Sequence, residues 1–386
     1  MCNSVLTLTR TFYAVGQGAF YAEKFTPPHS EPIVVLYDCG GRNVRAFKNH
    51  MPLSNGGSIK FLFISHFHRD HICGIQHLLH SYRVENVILP LVSMETKVLH
   101  WIWNKRINGK ITCEKFLFSP TETIFGFEAF NSPNIFYVLP QKLVGDYGKF
   151  VSGMERNYED LPSSGNVKYL KNDALLQINY NGIDWLYIPF NHEMEARHSE
   201  FLQILQDNQV PIDNLSDFLS QDNRAELWRD YKEELISAYK QISFNNLNMD
   251  SMAVYSGIGS PNNFQYETSL VMNGLPSITG SLPTGALYTG DIKITGAEFF
   301  KRYDDFESQI SILQIPHHGS KHNFDERLYR YGSKKIVCCN ENTRLERLAE
   351  VLQRDWLHYP EMSLDQSCLF VTENENLTQE IRISYP

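Results

Sequence analysis

The sequence predicts an α/β fold, and three observations carry that expectation. Short apolar runs such as Phe61-Leu62-Phe63-Ile64-Ser65 read as buried strands. Two alternating runs across residues 175–190 flank Asn181-Gly182, the favoured pair for a type I′ hairpin turn. Helical patterning fills much of the rest, at residues 72–82 and over 193–242.

The elements follow in order. Val5 to Val15 alternates apolar and polar residues and reads as a strand, Gly16-Gln17-Gly18 as a tight turn, and Ala19 to Phe25 as the returning strand. Ile33 to Tyr37 is a strand that ends at Asp38, and Phe61 to Ser65 is the next strong one. A helix is expected over 72–82, a strand at Val87-Ile88-Leu89 stopped by Pro90, and a helix over 96–103. Short strands are expected near 111–118 and 135–139, followed by a polar loop. After the hairpin, Glu193 to Ile242 reads as helices broken near Pro211 and Ser220. Strands are then expected at Met252–Tyr255, 268–272, 286–288 and 310–315, and a helix at 324–331. The tail reads as strand 335–339, helix 344–354, and strands near 367–372 and 379–384.

Composition narrows the class. The chain has 386 residues, 42% hydrophobic and 13% aromatic, enough to bury a sizeable core. It reads as one domain over 1–386 with a helical insertion at 191–245, a candidate substrate cap or homodimer contact. No apolar run approaches the ~20 residues of a membrane helix. Met1-Cys2-Asn3-Ser4 starts no basic-then-apolar leader, so no secretory signal is expected. Seven cysteines without repeating spacing fit free thiols and a cytoplasmic protein. The net charge is −9, and the 35 Lys and Arg are scattered. That argues against a processive duplex-DNA binder, which carries a basic stripe. Short or single-stranded substrates stay open, because bound metal ions neutralise phosphates locally.

The chemistry concentrates after the Phe61–Ser65 strand, where His66, His68, Asp70 and His71 lie within six residues. Imidazole nitrogens and a carboxylate suit zinc and neighbouring divalent metals. Four such donors are too many for one open catalytic ion and suggest two ions side by side. Later strand ends carry Thr289-Gly290-Asp291 and Pro316-His317-His318-Gly319-Ser320.

The His-x-His-x-Asp-His spacing resembles that of the metallo-β-lactamase superfamily. Tyr37-Asp38-Cys39-Gly40, Tyr288-Thr289-Gly290-Asp291 and the late His-His-Gly-Ser segment look like further landmarks of that family, in the expected order. The His-His-Gly-Ser form and Val15-Gly16-Gln17-Gly18 are similar to the branch that includes the hydrolase domain of the DNA-uptake protein ComEC. There are departures: Ala14 and Ala19 stand where that branch usually has Asp. The third-ligand histidine segment of many relatives is replaced by Asn248 to Ser251.

The resemblance implies an αββα sandwich with two mixed sheets face to face. It implies metal ligation by His66 and His68 at one ion, by Asp70, His71 and His317 at a second, and by Asp291 as the bridge. Asp38 is implied to support a ligand imidazole from behind, and Asp70 to orient the nucleophile. His318 and His322 are candidates for contacting phosphate or protonating a leaving group. Asn248, Asp250, His192 or water could complete the first metal position. Two divalent ions follow, zinc first and manganese as the alternative. The activity implied is metal-dependent hydrolysis by a di-metal-activated hydroxide, first of all on a phosphodiester or nucleotide substrate, as a phosphodiesterase or nuclease. A hydrolase of a lactone, amide or thioester is the alternative, and a non-enzymatic metal-containing binding module the third reading.

Overall fold

The computed structural model describes residues 4–16, 18–41, 44–106, 111–127, 130–140, 165–192, 196–212, 214–243, 251–260, 264–272, 278–280, 282–294, 297–320, 323, 325–339, 369–372 and 376–385. In chain order the strands are β1 (Ser4–Phe12), β2 (Tyr21–Thr26), β3 (Ile33–Tyr37), β4 (Ser58–Phe63), β5 (Arg83–Val84), β6 (Asn86–Pro90), β7 (Asn134–Val138), β8 (Val167–Leu170), β9 (Leu176–Tyr180), β10 (Ile183–His192), β11 (Ser251–Ile258), β12 (Gln265–Met272), β13 (Ile278–Gly280), β14 (Gly285–Tyr288), β15 (Ile310–Gln314), β16 (Lys334–Cys338), β17 (Leu369–Val371) and β18 (Leu377–Tyr385). The helices are α1 (Val44–Lys48), α2 (Arg69–Ile72), α3 (Ile75–Ser81), α4 (Met94–Arg106), α5 (Ile111–Phe118), α6 (Pro120–Gly126), α7 (Ala196–Asp207), α8 (Gln221–Asp230), α9 (Lys232–Ser243) and α10 (Glu298–Tyr303).

Two sheets form. One runs β13-β12-β18-β1-β2-β3-β4-β6-β7-β8, with β5 also on β4; the other runs β17-β16-β15-β14-β11-β10-β9. Both are mixed: β1 pairs antiparallel with β2 and β18, whereas β3–β4, β14–β15 and β15–β16 are parallel. The apolar contacts arrange the layers. Leu8, Val35 and Phe63 of the first sheet meet Trp185, Val254 and Ile312 of the second in one buried cluster. The opposite face of the first sheet, with Leu36 and Leu62, packs on Leu78, Leu99 and Ile102 of helices α3 and α4. The far face of the second sheet, with Ile188 and Leu313, packs on Phe299 and Tyr303 of α10. The order is therefore helices, sheet, sheet, helices.

Burial on both faces explains the unbroken apolar runs. In β3, Val34 and Leu36 face the helices while Val35 and Tyr37 face the other sheet. Successive strand residues point to opposite sides, so a doubly covered strand has no polar positions to alternate. The hairpin turn at 181–182 forms, with φ of 47° at Asn181 and 83° at Gly182, as a type I′ turn requires.

Residues 111–118 differ from expectation: they are helix α5, not a strand. Phe116 and Leu117 are adjacent and both fully buried in the same cluster, which a half-buried strand could not achieve. Among the described residues of the stretch expected as a helix at 324–331, there is a 3₁₀ turn at Glu326–Arg330. The expected tail helix at 344–354 lies outside the described residues. Helices α7 to α9 of the insertion pack on α4, where Trp101 makes edge contacts with Phe218 and Trp228 at ring distances of 5.6 and 5.5 Å. Among the described residues no helix is long and apolar enough to cross a membrane.

Between the sheets lies a buried ion pair. Arg10 Nε donates to Glu23 Oε1 at 2.7 Å, and both side chains are almost wholly buried. Glu23 also accepts from Ser256 Oγ (2.7 Å), Tyr187 OH (2.7 Å) and Tyr288 OH (2.9 Å). Breaking such a pair strands the surviving charge in a dry interior. Glu23→Ala should therefore lower unfolding stability by about 3–5 kcal/mol, read from the denaturant midpoint. A change under about 1 kcal/mol would show that the network is not a stability determinant.

Candidate metal centre

Parallel pairing brings the site together. Strands β3 and β4 run side by side in the first sheet, and β14 and β15 in the second. Parallel neighbours deliver their C-terminal ends to the same side. The two pairs meet across the sandwich, where Met252 N donates to Ser65 O at 2.8 Å and Tyr37 OH donates to Met252 O at 2.7 Å.

At the first pair, the backbone of Asp38 takes the left-handed region with φ 58°. Its carboxylate accepts from Ser65 N (2.7 Å), Ser65 Oγ (2.7 Å) and His71 Nδ1 (2.8 Å). That one side chain thus fixes both the start of the His loop and the ring of His71. From the helical side, Asn104 of α4 donates to Phe67 O and accepts from Arg69 N, both at 3.1 Å. Gly40 lets the loop pass: a Cβ there would lie 1.8 Å from the Asp70 carbonyl oxygen.

At the second pair, Thr289-Gly290-Asp291 turns sharply, with Gly290 at φ 56° and no room for a Cβ beside Ser251 Oγ. Gln314 holds this turn. Its Oε1 accepts from Thr289 N (2.8 Å) and Gly290 N (2.9 Å), and its Nε2 donates to Gly290 O (3.2 Å) and Ile315 O (3.0 Å). Asp291 N reaches Ser251 Oγ at 3.3 Å, and Asn323 Nδ2 donates to Asp291 O at 2.9 Å.

The donors converge in two groups, His66, His68 and Asp291 in one, and Asp70, His71 and His318 in the other; within each, the donor atoms lie within 4.8 Å of one another. Asp291 lies between them. Its Oδ2 is 3.6 Å from His66 Nε2 and 3.9 Å from His317 Nε2. Its Oδ1 is 3.5 Å from His71 Nε2 and 3.9 Å from His318 Nε2. His318 Nε2 lies 3.6 Å from Asp70 Oδ2. Tetrahedral ligands about 2.1 Å from an ion stand about 3.4 Å apart, so these separations suit donors around metal ions.

Tautomers agree with that fit. His318 Nδ1 is 2.9 Å from the Cys338 carbonyl oxygen, which can only accept. The proton is therefore on Nδ1, and Nε2 keeps its lone pair. The Asp38 carboxylate likewise holds the Nδ1 proton of His71, so that a second proton or a cation would sit on its Nε2. The Nε2 atoms of His66, His71 and His318 are buried without a hydrogen-bond partner among the described residues. Buried polar atoms are rarely left so, and a cation would satisfy all three.

Electrostatics point the same way. Burial pushes His66 and His68 well below the ordinary imidazole range, and neighbouring imidazoles push further. Burial alone would lower His71 too, but Asp291, Asp38 and Asp70 outweigh it and push it up to about 10. Burial would raise Asp70, yet the neighbouring imidazoles of His318, His71 and His68 hold it below the usual carboxylate range.

His66, His68, Asp70, His71, Asp291 and His317 are thus brought together. The arrangement differs from expectation in one respect: His318, not His317, stands with Asp70 and His71. The reason is the backbone, since both histidines take the left-handed region, at φ 48° and 53°, and two adjacent rings enter the site. His192 ends β10, buried and paired in register with Ser251, and belongs to neither donor group. Asn248, Asp250 and His322 lie outside the described residues. Missed from sequence were Gln314, Asn323, Asn104 and His100, the last with its ring 4.4 Å from that of His68. A polar residue inside an otherwise apolar strand was the one signal for Gln314.

A family model described as Anti-Pycsar protein Apyc1 matches residues 29–141. That span includes Asp38, His66, His68, Asp70, His71 and His100; it covers less than half of the chain and is not a ComEC-like family. A solved structure, "Crystal structure of a long form RNase Z from yeast", is similar with 9% identity and a TM-score of 0.28 over 80% of this chain and 32% of that chain. The present chain spans about a third of that structure's length. No curated protein matches.

Two predictions follow from the geometry. A metal entering the site would compete with a proton on His71, whose proton affinity the carboxylates of Asp291, Asp38 and Asp70 raise. Affinity for zinc should therefore rise as pH increases from 6 to 8, with proton release measurable by calorimetry in buffers of different ionisation enthalpy. A flat profile would contradict the assigned protonation. Gly40→Ala should cost several kcal/mol, on the order of the largest single-residue effects, because backbone atoms must move. Thermal unfolding of the metal-free protein would measure it, and a near-unchanged midpoint would contradict the packing.

Proposed function

We propose that the protein is a metal-dependent hydrolase of the metallo-β-lactamase superfamily that cleaves phosphodiesters of nucleotides or short nucleic acids. The observation that carries this reading is the Asp291 carboxylate, which directs one oxygen to each of two donor groups. A structural metal site is closed by its ligands and has no use for a shared carboxylate between two ions. The helix–sheet–sheet–helix layering supports the superfamily assignment, and the Anti-Pycsar match over 29–141 supports a nucleotide substrate.

When bound, two divalent ions supply a nucleophile at neutral pH and draw off charge developing on phosphoryl oxygens. The chain's own groups do the rest. His66 and His68 would hold one ion, Asp70 and His71 the other, and Asp291 both. Asp70, with its side chain 25% exposed, would orient a water toward a substrate phosphorus. Asp38 and Ser65 keep the His71 ring aimed inward. Zinc is the first candidate because imidazoles dominate, with manganese second. We also place the protein in the cytoplasm, in keeping with seven cysteines that show no repeating spacing, and keep the insertion helices α7 to α9 as a cap or a homodimer contact.

The test is metal analysis of the purified protein, paired with hydrolysis of bis(p-nitrophenyl) phosphate in added zinc or manganese. We expect about two metal equivalents and metal-dependent turnover, followed by activity on nucleic acids or cyclic nucleotides. Two equivalents with turnover only of lactone, amide or thioester substrates would move the assignment to carbonyl chemistry. No metal uptake would overturn the enzyme reading. Asp38→Asn should weaken metal affinity about 10–100-fold while the fold persists, checked by competition with a chelating dye and by circular dichroism.

A further inference from the structure

We propose that the adjacent histidines of the late loop serve different ions: His317 supplies the third imidazole of the His66/His68 site, and His318 serves the Asp70/His71 site. This rests on the two-ion reading above and goes beyond it, because sequence alone assigned His317 to the second ion and left the first incomplete.

The two oxygens of Asp291 divide the space. His66 Nε2 and His317 Nε2 both face Oδ2, at 3.6 and 3.9 Å. His71 Nε2 and His318 Nε2 both face Oδ1, at 3.5 and 3.9 Å. Neighbouring side chains on an extended strand point to opposite faces and could not share one site. Here His317, His318 and Gly319 all have positive φ, at 48°, 53° and 81°. Such a conformation is unfavourable for residues that carry a Cβ. It curls the chain so that both rings, 5.9 Å apart, look onto the same carboxylate.

Each ring is held from behind by its own acceptor. His317 Nδ1 is 2.9 Å from Asn323 Oδ1, and His318 Nδ1 is 2.9 Å from Cys338 O. Separate anchors keep the two Nε2 atoms aimed at separate oxygens. Asn323 also donates to Asp291 O at 2.9 Å. It is therefore a positioning residue that ties the His317 ring to the bridging carboxylate. With His317, the first site has three imidazoles and Oδ2. The second has Asp70, two imidazoles and Oδ1. Neither Asn248 nor Asp250 is then required as a ligand.

Cadmium substitution tests this without recourse to activity. The full-length protein loaded with ¹¹³Cd should show two resonances, one per ion. His66→Gln marks the first resonance by abolishing or displacing it, and His71→Gln marks the second. His317→Gln should affect the resonance that His66→Gln affects, with loss of one metal equivalent. His318→Gln should affect the other. Asn323→Ala should shift the first resonance without emptying the site, and Asn323→Asp, which keeps an acceptor for His317, should restore it. If His317→Gln acts on the His71 resonance, or leaves both unchanged, the assignment is overturned. If the unsubstituted protein binds no cadmium, the two-ion reading itself fails, and this assignment fails with it.

Discussion

Asp291 carries a carboxylate that is almost entirely buried, with imidazoles on both of its oxygens. An isolated buried charge is costly, and proteins keep one only with partners and counter-charge. Much of the local structure can be understood as meeting that cost. The turn that presents Asp291 needs glycine at position 290, and the side-chain amide of Gln314 bonds the backbone of Thr289 and Gly290 within it. The imidazoles facing it are in turn oriented by Asp38, Cys338 and Asn323. A shell of hydrogen bonds behind the donors keeps their lone pairs pointed inward.

The same carboxylates that raise the proton affinity of His71 would attract a metal ion. A proton on His71 would answer part of the charge of Asp38, Asp70 and Asp291. On the proposed reading, proton and metal would compete for one cationic position, which would link metal affinity to pH. The strained backbone at His317 and His318 belongs to the same balance. Left-handed conformations at residues with side chains persist where surrounding contacts over-determine them, and here those contacts are hydrogen bonds to each ring.

Around this centre the sandwich acts as a rigid mount. Two parallel strand pairs, one in each sheet, end at the same edge, and hydrogen bonds of Tyr37 and Ser65 with Met252 join the sheets there. The Arg10–Glu23 pair ties the sheets together between their inner faces. Helix α4 links the site to the insertion: Asn104 grips the His loop on one side, while Trp101 packs against Phe218 and Trp228 on the other.

Local signals were enough for β3, β4, the Asn181-Gly182 hairpin and the close set from His66 to His71, because strand periodicity, turn chemistry and donor spacing are all written within a few residues. The Thr-Gly-Asp and His-His-Gly-Ser segments were legible as candidates through the resemblance to the metallo-β-lactamase superfamily. Helix α5 was misread, since its pattern becomes helical only through Phe116 and Leu117 packing into one cluster. The sequence by itself thus determined which residues can donate to a metal and roughly where strands present them. Tertiary structure alone decided which donor belongs with which. The division of His317 from His318 depends on two backbone torsions and on partners at Asn323 and Cys338. The roles of Gln314, Asn104 and His100 arise across chain separations that no local pattern records, because a side chain's partner is set by packing and not by its neighbours in sequence.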